Sequence, residues 1–158
     1  MDLRFHSAVL FTQEIRQLKE FYEIFLGQVP EEDYGNCVIF KGGFTIWKLE
    51  KEYPVSKELG YRYDHLGNRN MELCFETDTF GTVVEHILSA DLRILHNVTE
   101  EEWGQYTIRF FDPEGNLVEV GESPRCFVGR MASSGMDIDA IAMKTGLAEP
   151  LVTRLLKA

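Results

Sequence analysis

At 158 residues, with 44% hydrophobic and 27% charged residues, the chain has the size of one domain, or of one domain plus a small appendage, and can bury a core. Its formal net charge of −10 argues against nucleic acid and anionic membrane as primary partners. No apolar run approaches the length of a membrane span and the N-terminus lacks the basic-then-apolar layout of a signal peptide, so the expected compartment is the cytoplasm. Cys37, Cys74 and Cys126 are odd in number and show no CxxC spacing, which predicts buried thiols rather than a disulfide framework or a structural zinc site.

Residues 4–11 (RFHSAVLF) predict a first strand. Thr12 fits an N-cap, and 13–26 carries Ile15, Leu18, Phe21, Tyr22, Phe25 and Leu26 at the helical period, with Gly27 as the residue that ends the helix. Strands follow at about 36–41 and 44–50, joined by a Lys41-Gly42-Gly43 turn. Residues 51–69 are polar and tyrosine-rich and contain Pro54, Gly60 and Gly67. They predict a linker or a loop over the site, from which His65 could act as part of a lid. The pattern then restarts. A strand at 71–76 leads to an N-cap at Asp78 or Thr79 and a shorter helix over 80–89, and strands follow at 92–97, 105–111 and 116–121. His86 and His96 read as surface residues near this helix. The order strand–helix–strand–strand–strand therefore occurs twice, over about 4–50 and 70–121, which predicts two copies of one unit packed around a shared interface.

The stretch 103–122, WGQYTIRFFDPEGNLVEVGE, organises the second copy. Its first half alternates and is rich in β-branched and aromatic residues. In the turn Asp112-Pro113-Glu114-Gly115, Asp caps, Pro sets φ and Gly accepts a positive φ. In the closing strand Leu117, Glu119 and Gly121 share one face, Val118 and Val120 the other. A lone carboxylate between two valines points either to solvent or into a cavity. Arg109 shares a face with Gln105 and Thr107; if that face is inward, Arg109 could hold a carboxylate or phosphate of a substrate, and if it is outward, Arg109 is a surface residue paired with one of the chain's many acids.

The two βαβββ units, the helix-ending FYEIFLG and the late FFDPEGNLVEV resemble the vicinal oxygen chelate superfamily, which includes glyoxalase I, bleomycin and fosfomycin resistance proteins and extradiol dioxygenases. The resemblance covers about residues 4–122. It implies an α+β fold in which the two units form a cupped mixed sheet around a cavity, with metal ligands on the first and last strands of each unit. His6 occupies the first such position. Glu72 lies six residues before Asp78, as His6 lies six before Thr12, and Glu119 is the last-strand position. Superposing TIWKL on LVEV places Trp47 opposite Glu119. Indole offers only an N–H donor and cannot ligate a metal, and Glu72 stands where a histidine is common.

One imidazole and two carboxylates remain, His6, Glu72 and Glu119, a three-ligand set with open positions that suits Zn, Ni, Mn or Fe. Two close carboxylates also require a cation or a shared proton. Glu119 and Glu72 are then the candidate catalytic groups, and Trp47, Arg109, Gln105 and Cys74 candidate substrate contacts. Cys74 falls on the face of Glu72, two residues on, with no base assigned beside it.

Residues 130–158 read as a C-terminal helical pair with Ala142, Gly146, Val152 and Pro150 at the spacing of a helix-turn-helix. Arg130, Lys144, Arg154 and Lys157 stand against Asp137, Asp139 and Glu149, so the pair lacks a basic recognition face. Two short helices also have no core of their own, and the tail is expected to dock on its own domain or on a dimer partner. The organisation read from the sequence is thus a glyoxalase-like domain over 1–129 and a helical appendage over 130–158. The implied function is that of a small-molecule enzyme of the lyase or isomerase kind, using a divalent metal to polarise vicinal oxygens. The rival is a non-catalytic binding protein of the bleomycin-resistance type. The expected partners are a small molecule and a second copy of the chain in a homodimer, with neither nucleic acid nor membrane.

Overall fold

The computed structural model describes residues 3–58, 67 and 71–157. The chain divides into two compact units, Met1–Asn68 with Asp112–Asn116, and Arg69–Phe111 with Leu117–Ala158.

In the first unit β1 (Ala8–Thr12) leads to α1 (Ile15–Glu20), which runs on as a π-helical turn over Phe21–Phe25. Then come β2 (Pro30–Asp33), β3 (Cys37–Phe40), β4 (Phe44–Lys48) and the short α2 (Pro54–Glu58). The sheet order is β1-β4-β3-β2, with β1 parallel to β4 and the other pairs antiparallel. Alternation sends Leu10, Val38, Phe40, Phe44 and Ile46 to one face, where they are buried with Leu18, Phe21 and Tyr22. Phe40 and Phe44 stack at 4.7 Å and Tyr22 meets Phe44 edge-on at 5.1 Å.

Two local expectations change here. β2 has the sequence PEED, with no apolar alternation to announce it; it is an edge strand, where charge is favoured because it blunts further pairing. Thr12 is the last residue of β1 rather than the helix cap. The cap comes from Glu114, a hundred residues on: its Oε1 accepts from the Thr12 hydroxyl at 2.8 Å and from the backbone N–H of Gln13 and Glu14 at 3.0 and 3.2 Å. The Asp112–Asn116 turn that presents Glu114 is closed as the sequence predicts. Asp112 Oδ1 accepts the N–H groups of Glu114 and Asn116, and Gly115 takes φ 86°. Asp112 Oδ2 also accepts from the Tyr22 hydroxyl at 2.8 Å.

The second unit repeats the plan. β5 (Glu72–Thr77), α3 (Phe80–Ser89), β6 (Ile94–Glu100), β7 (Tyr106–Phe111) and β8 (Leu117–Glu122) form a sheet in the order β5-β8-β7-β6, again with the outer pair parallel. Ile108, Phe110, Val118 and Val120 are buried on one face, as is Ile87 of α3. The architecture is α+β, two four-stranded mixed sheets of identical strand order with helices. His65 lies outside the described residues.

The tail holds three helices rather than two. α4 (Pro124–Ser133) runs through position 129 and so belongs to both sides of the expected boundary; α5 (Ile138–Thr145) and α6 (Glu149–Leu155) follow. Ser123 caps α4 and Pro124 occupies its first turn, Asp137 caps α5, and Gly146 closes α5 in the left-handed conformation. The third helix supplies the core that two could not: Phe127, Val128 and Met131 of α4 are buried with Ile141 of α5 and Val152 of α6. Arg130 ties the cluster to the sheet. It bonds Glu122 at 2.6 Å and the Gly104 carbonyl at 2.7 Å, and stacks on the Tyr106 ring at 3.9 Å.

Candidate functional site

The same alternation that buries Ile108, Phe110, Val118 and Val120 turns Thr107, Arg109, Phe111, Leu117 and Glu119 to the opposite face of the second sheet. Register sorts them into rows. His96 pairs with Arg109, Arg109 with Glu119, and Glu119 with Cys74. In the adjacent row Phe111 pairs with Leu117 and Leu117 with Glu72.

Arg109 is the centre of this face. Its Nε donates to Glu72 at 2.9 Å, its Nη1 to Glu101 at 2.6 Å, and its Nη2 to Glu119. His96 Nε2 lies 3.2 Å from Nη1, and the Thr107 hydroxyl donates to the same Glu101 oxygen at 2.8 Å. Burial alone would lower the Arg109 pKa; hydrogen bonds to Glu72 and Glu101 and the charge of Glu119 reverse this, so the guanidinium is firmly cationic.

Glu119 is 8% exposed. Burial pushes its pKa above the ordinary carboxylate range, Arg109 pulls it back, and Glu72 and Glu101 push it up again, for a net rise. Glu101 moves the other way, because its hydrogen bond to Arg109 outweighs its burial. The Cys74 thiol is pushed up to about 11 by burial and by the charges of Glu119 and Glu72; it is a protonated, weakly nucleophilic group at neutral pH. Cys74 is the most exposed of the three cysteines, and none of them is fully buried, contrary to expectation; all three are free.

Of the residues singled out in the sequence, Glu72, Cys74, Arg109 and Glu119 therefore converge. Gln105 is committed elsewhere: its Nε2 donates to the Glu122 carbonyl at 2.7 Å and its Oε1 accepts from the Trp103 indole at 2.9 Å. His6 and Trp47 belong to the first unit. His6 is exposed and precedes β1. Its neighbour Ser7 bonds Thr45 at 2.6 Å, on the strand that also carries Trp47. Trp47 is half-buried, stacked on Tyr53 at 5.6 Å and edge-on to Phe11 at 5.9 Å. Sequence reasoning missed Glu101 and misplaced His96. Register shifts in β6 bring His96 opposite Arg109, and Glu101 reaches back from beyond the strand. Bulges of this kind break the alternation on which such a reading depends.

One oxygen each of Glu72 and Glu119 and the sulfur of Cys74 lie within 4.8 Å of one another, the spacing of a three-donor cation site. The charge does not match the spacing. Both carboxylates already share the Arg109 guanidinium with Glu101, and the third donor is a thiol that carries its proton at neutral pH. A divalent ion held here would have to displace Arg109 from the two carboxylates and release the thiol proton on binding.

The glyoxalase-like domain family matches residues 5–125. Among solved structures, a protein of unknown function from Agrobacterium tumefaciens strain C58 is 30% identical, with a TM-score of 0.65 over 78% of this chain and 96% of its own. A glyoxalase/bleomycin resistance protein/dioxygenase family enzyme from Burkholderia phytofirmans is similar in fold at 18% identity and TM-score 0.62, over 76% of this chain and 98% of its own. A lactoylglutathione lyase from Agrobacterium tumefaciens is similar at 20% identity and TM-score 0.53, over 77% and 95%. No curated protein matches the chain.

Proposed function

Because the chain belongs to the glyoxalase-like domain family, we propose that it acts on a small molecule carrying vicinal oxygens, with Glu119 as the base that removes a proton beside a carbonyl. The reaction class is that of a lyase or isomerase; one structural neighbour is named a lyase. The observation that carries this reading is Glu119 itself, a buried carboxylate of raised pKa held beside Arg109 on the last strand. A carboxylate whose pKa is raised is a stronger base in its ionised form. Glu72 and Glu101 hold Arg109, and Arg109 holds Glu119 in one orientation. The second N–H of Nη2 has no partner among the described residues, so it is the donor for the oxygen on which charge develops. Cys74, being protonated, is a wall of the site and a weak donor rather than a nucleophile.

The test is deuterium exchange. A panel of α-hydroxycarbonyl compounds in heavy water is followed by proton NMR with wild type and Glu119→Gln. The expected outcome is enzyme-dependent exchange at the carbon next to the carbonyl, slowed by about a hundredfold or more in the variant. Equal exchange by both proteins would remove Glu119 from the role.

A second reading keeps the divalent ion, Zn, Ni, Mn or Fe, on Glu72 and Glu119 with His6 or Cys74. Its support is the spacing of the trio. The two readings differ over Arg109. If the guanidinium stands in for the ion, wild type purified without chelator takes up no stoichiometric metal, and Arg109→Met gains uptake because two carboxylates lose their counter-charge. One equivalent per chain in wild type, lost in Glu119→Gln and in His6→Ala alike, would establish the metal form instead. A non-catalytic binder is the outcome if ligands bind, neither exchange nor metal is found, and affinity depends on Trp47, whose stack with Tyr53 offers a flat aromatic wall.

A further inference from the structure

Beside the ionic web, the same sheet face carries a hollow of about 430 Å³ lined by Arg93, Ile94, Leu95, Phe111 and Leu117, a size suited to a small molecule. Register fixes its place. Phe111 pairs with Leu117, and the Phe111 N–H donates to the Arg93 carbonyl at 2.9 Å, which sets Arg93, Phe111 and Leu117 in one row. Arg109 and Glu119 form the next row. Residues two apart on a strand face the same way, roughly 6.5–7 Å from each other. The hollow and the Glu119 carboxylate are therefore neighbours within the span of one small molecule.

The two arginines of this face are in different states. Arg109 is taken up by three carboxylates. Arg93 has no carboxylate partner among the described residues; its guanidinium carbon sits 3.7 Å from the centroid of the Phe111 ring. Stacking on a ring fixes the plane of a guanidinium and leaves its edge N–H groups directed outward, the arrangement that binds a carboxylate in two-pronged fashion. In a chain of net charge −10, a cation left without an acid at the rim of an apolar hollow marks a place for an anion that arrives from solution. Arg93 thus offers its guanidinium edge to an anionic group, whereas the donors of Arg109 are largely taken up by Glu72, Glu101 and Glu119.

We propose that this hollow receives the flat, anionic end of the substrate: a small carboxylate whose charged group lies on Arg93 and whose apolar body packs on Leu95, Phe111 and Leu117, with its other end directed to Glu119. The word substrate rests on the proposed role of Glu119; the binding site does not.

The probes are benzoate, benzamide and benzylamine, which share a ring and differ in charge. Each is titrated at low salt into the full chain, followed by backbone amide shifts. Benzoate is expected to move the amides of Ile94, Leu95, Phe111 and Leu117 and to bind at least about tenfold tighter than benzamide, with benzylamine weakest, because a charge-assisted bond is worth roughly 1.5–3 kcal/mol. Arg93→Gln should lose that preference while benzamide binding and melting temperature stay as in wild type, and Arg93→Lys should recover it only in part, since ammonium has no planar fork. Equal affinity for benzoate and benzamide, or an Arg93→Gln variant that binds benzoate as wild type does, would overturn the proposal. Benzoate binding needs no base, so it should survive in Glu119→Gln. Deuterium exchange without benzoate selectivity removes the Arg93 site alone, and selectivity without exchange removes the Glu119 role alone.

Discussion

Glu119 is held between opposing effects, and their balance predicts how stability follows pH. Burial, together with Glu72 and Glu101, raises its pKa in the fold more than Arg109 lowers it. A group whose folded pKa lies above its unfolded value binds its proton more tightly in the native state. Its contribution to stability is complete below the unfolded carboxylate range and is lost as pH rises through the folded pKa. Glu101, lowered by Arg109, has the opposite sign: its contribution is present above the unfolded value and fades as pH falls through the folded one. Glu119→Gln should therefore match or exceed wild type in melting temperature at pH 7–8 and lose that relative advantage as pH drops into the carboxylate range. Glu101→Gln should be less stable than wild type at pH 7–8, with the difference shrinking on acidification. Melting curves across pH check both. If the Glu119→Gln curve runs parallel to wild type, the carboxylate is not perturbed as described, and its suitability as a base goes with it.

The turn Asp112–Asn116 shows how one element serves two purposes. It joins β7 to β8, and through Glu114 it caps the start of α1 with a single carboxylate oxygen that accepts three hydrogen bonds. Removing a cap costs about 0.5–2 kcal/mol, and here the buried Thr12 hydroxyl loses its acceptor as well. Glu114→Ala should thus destabilise the chain by about 2 kcal/mol in urea titration, and Glu114→Gln, which keeps an acceptor oxygen, by less; equal stability of all three would mean that α1 needs no such cap. The turn itself was legible in the sequence, because Asp, Pro and Gly each act on neighbouring backbone. Its capping role was not, because nothing local links Glu114 to Thr12. The same division runs through the rest. Alternation in β7 and β8 separated Arg109 and Glu119 from Phe110 and Val118, and the repeat in hydrophobic pattern carried the doubled strand order. β2 had no periodicity to read, and the shifted register of β6 concealed His96 opposite Arg109. The web around Arg109 was half visible for the same reason: strand partners follow from register, whereas Glu101 enters from outside the ladder.

At the scale of the whole chain, the family match ends at residue 125, so α5, α6 and nearly all of α4 lie outside the matched segment. The connection between α5 and α6, closed by Gly146 and restarted at Pro150, has the form of a helix-turn-helix. Its charge does not suit nucleic acid. Of the tail's cations, Arg130 is paired with Glu122 and Lys144 with Glu100, which leaves Arg154 on α6 and Lys157 just beyond it, against Glu149, too few for a run of phosphate contacts. The packing points instead to stability. Met131, Ile141 and Val152 cover Phe127 and Val128, which the domain would otherwise expose, and each large apolar side chain buried contributes roughly 1.5–3 kcal/mol. Deleting residues 131–158 should therefore lower the melting temperature and increase self-association through the uncovered face of α4, read by thermal denaturation and sedimentation. Polar replacement of Phe127 and Val128 in the truncated chain should reverse the association without restoring the melting temperature. Duplex DNA should show no salt-sensitive shift with either form. A shift by the intact chain that the deletion abolishes would make the tail a nucleic-acid module despite its charge. Unchanged melting and association would mean that these helices fold apart from the sheet they touch through Arg130.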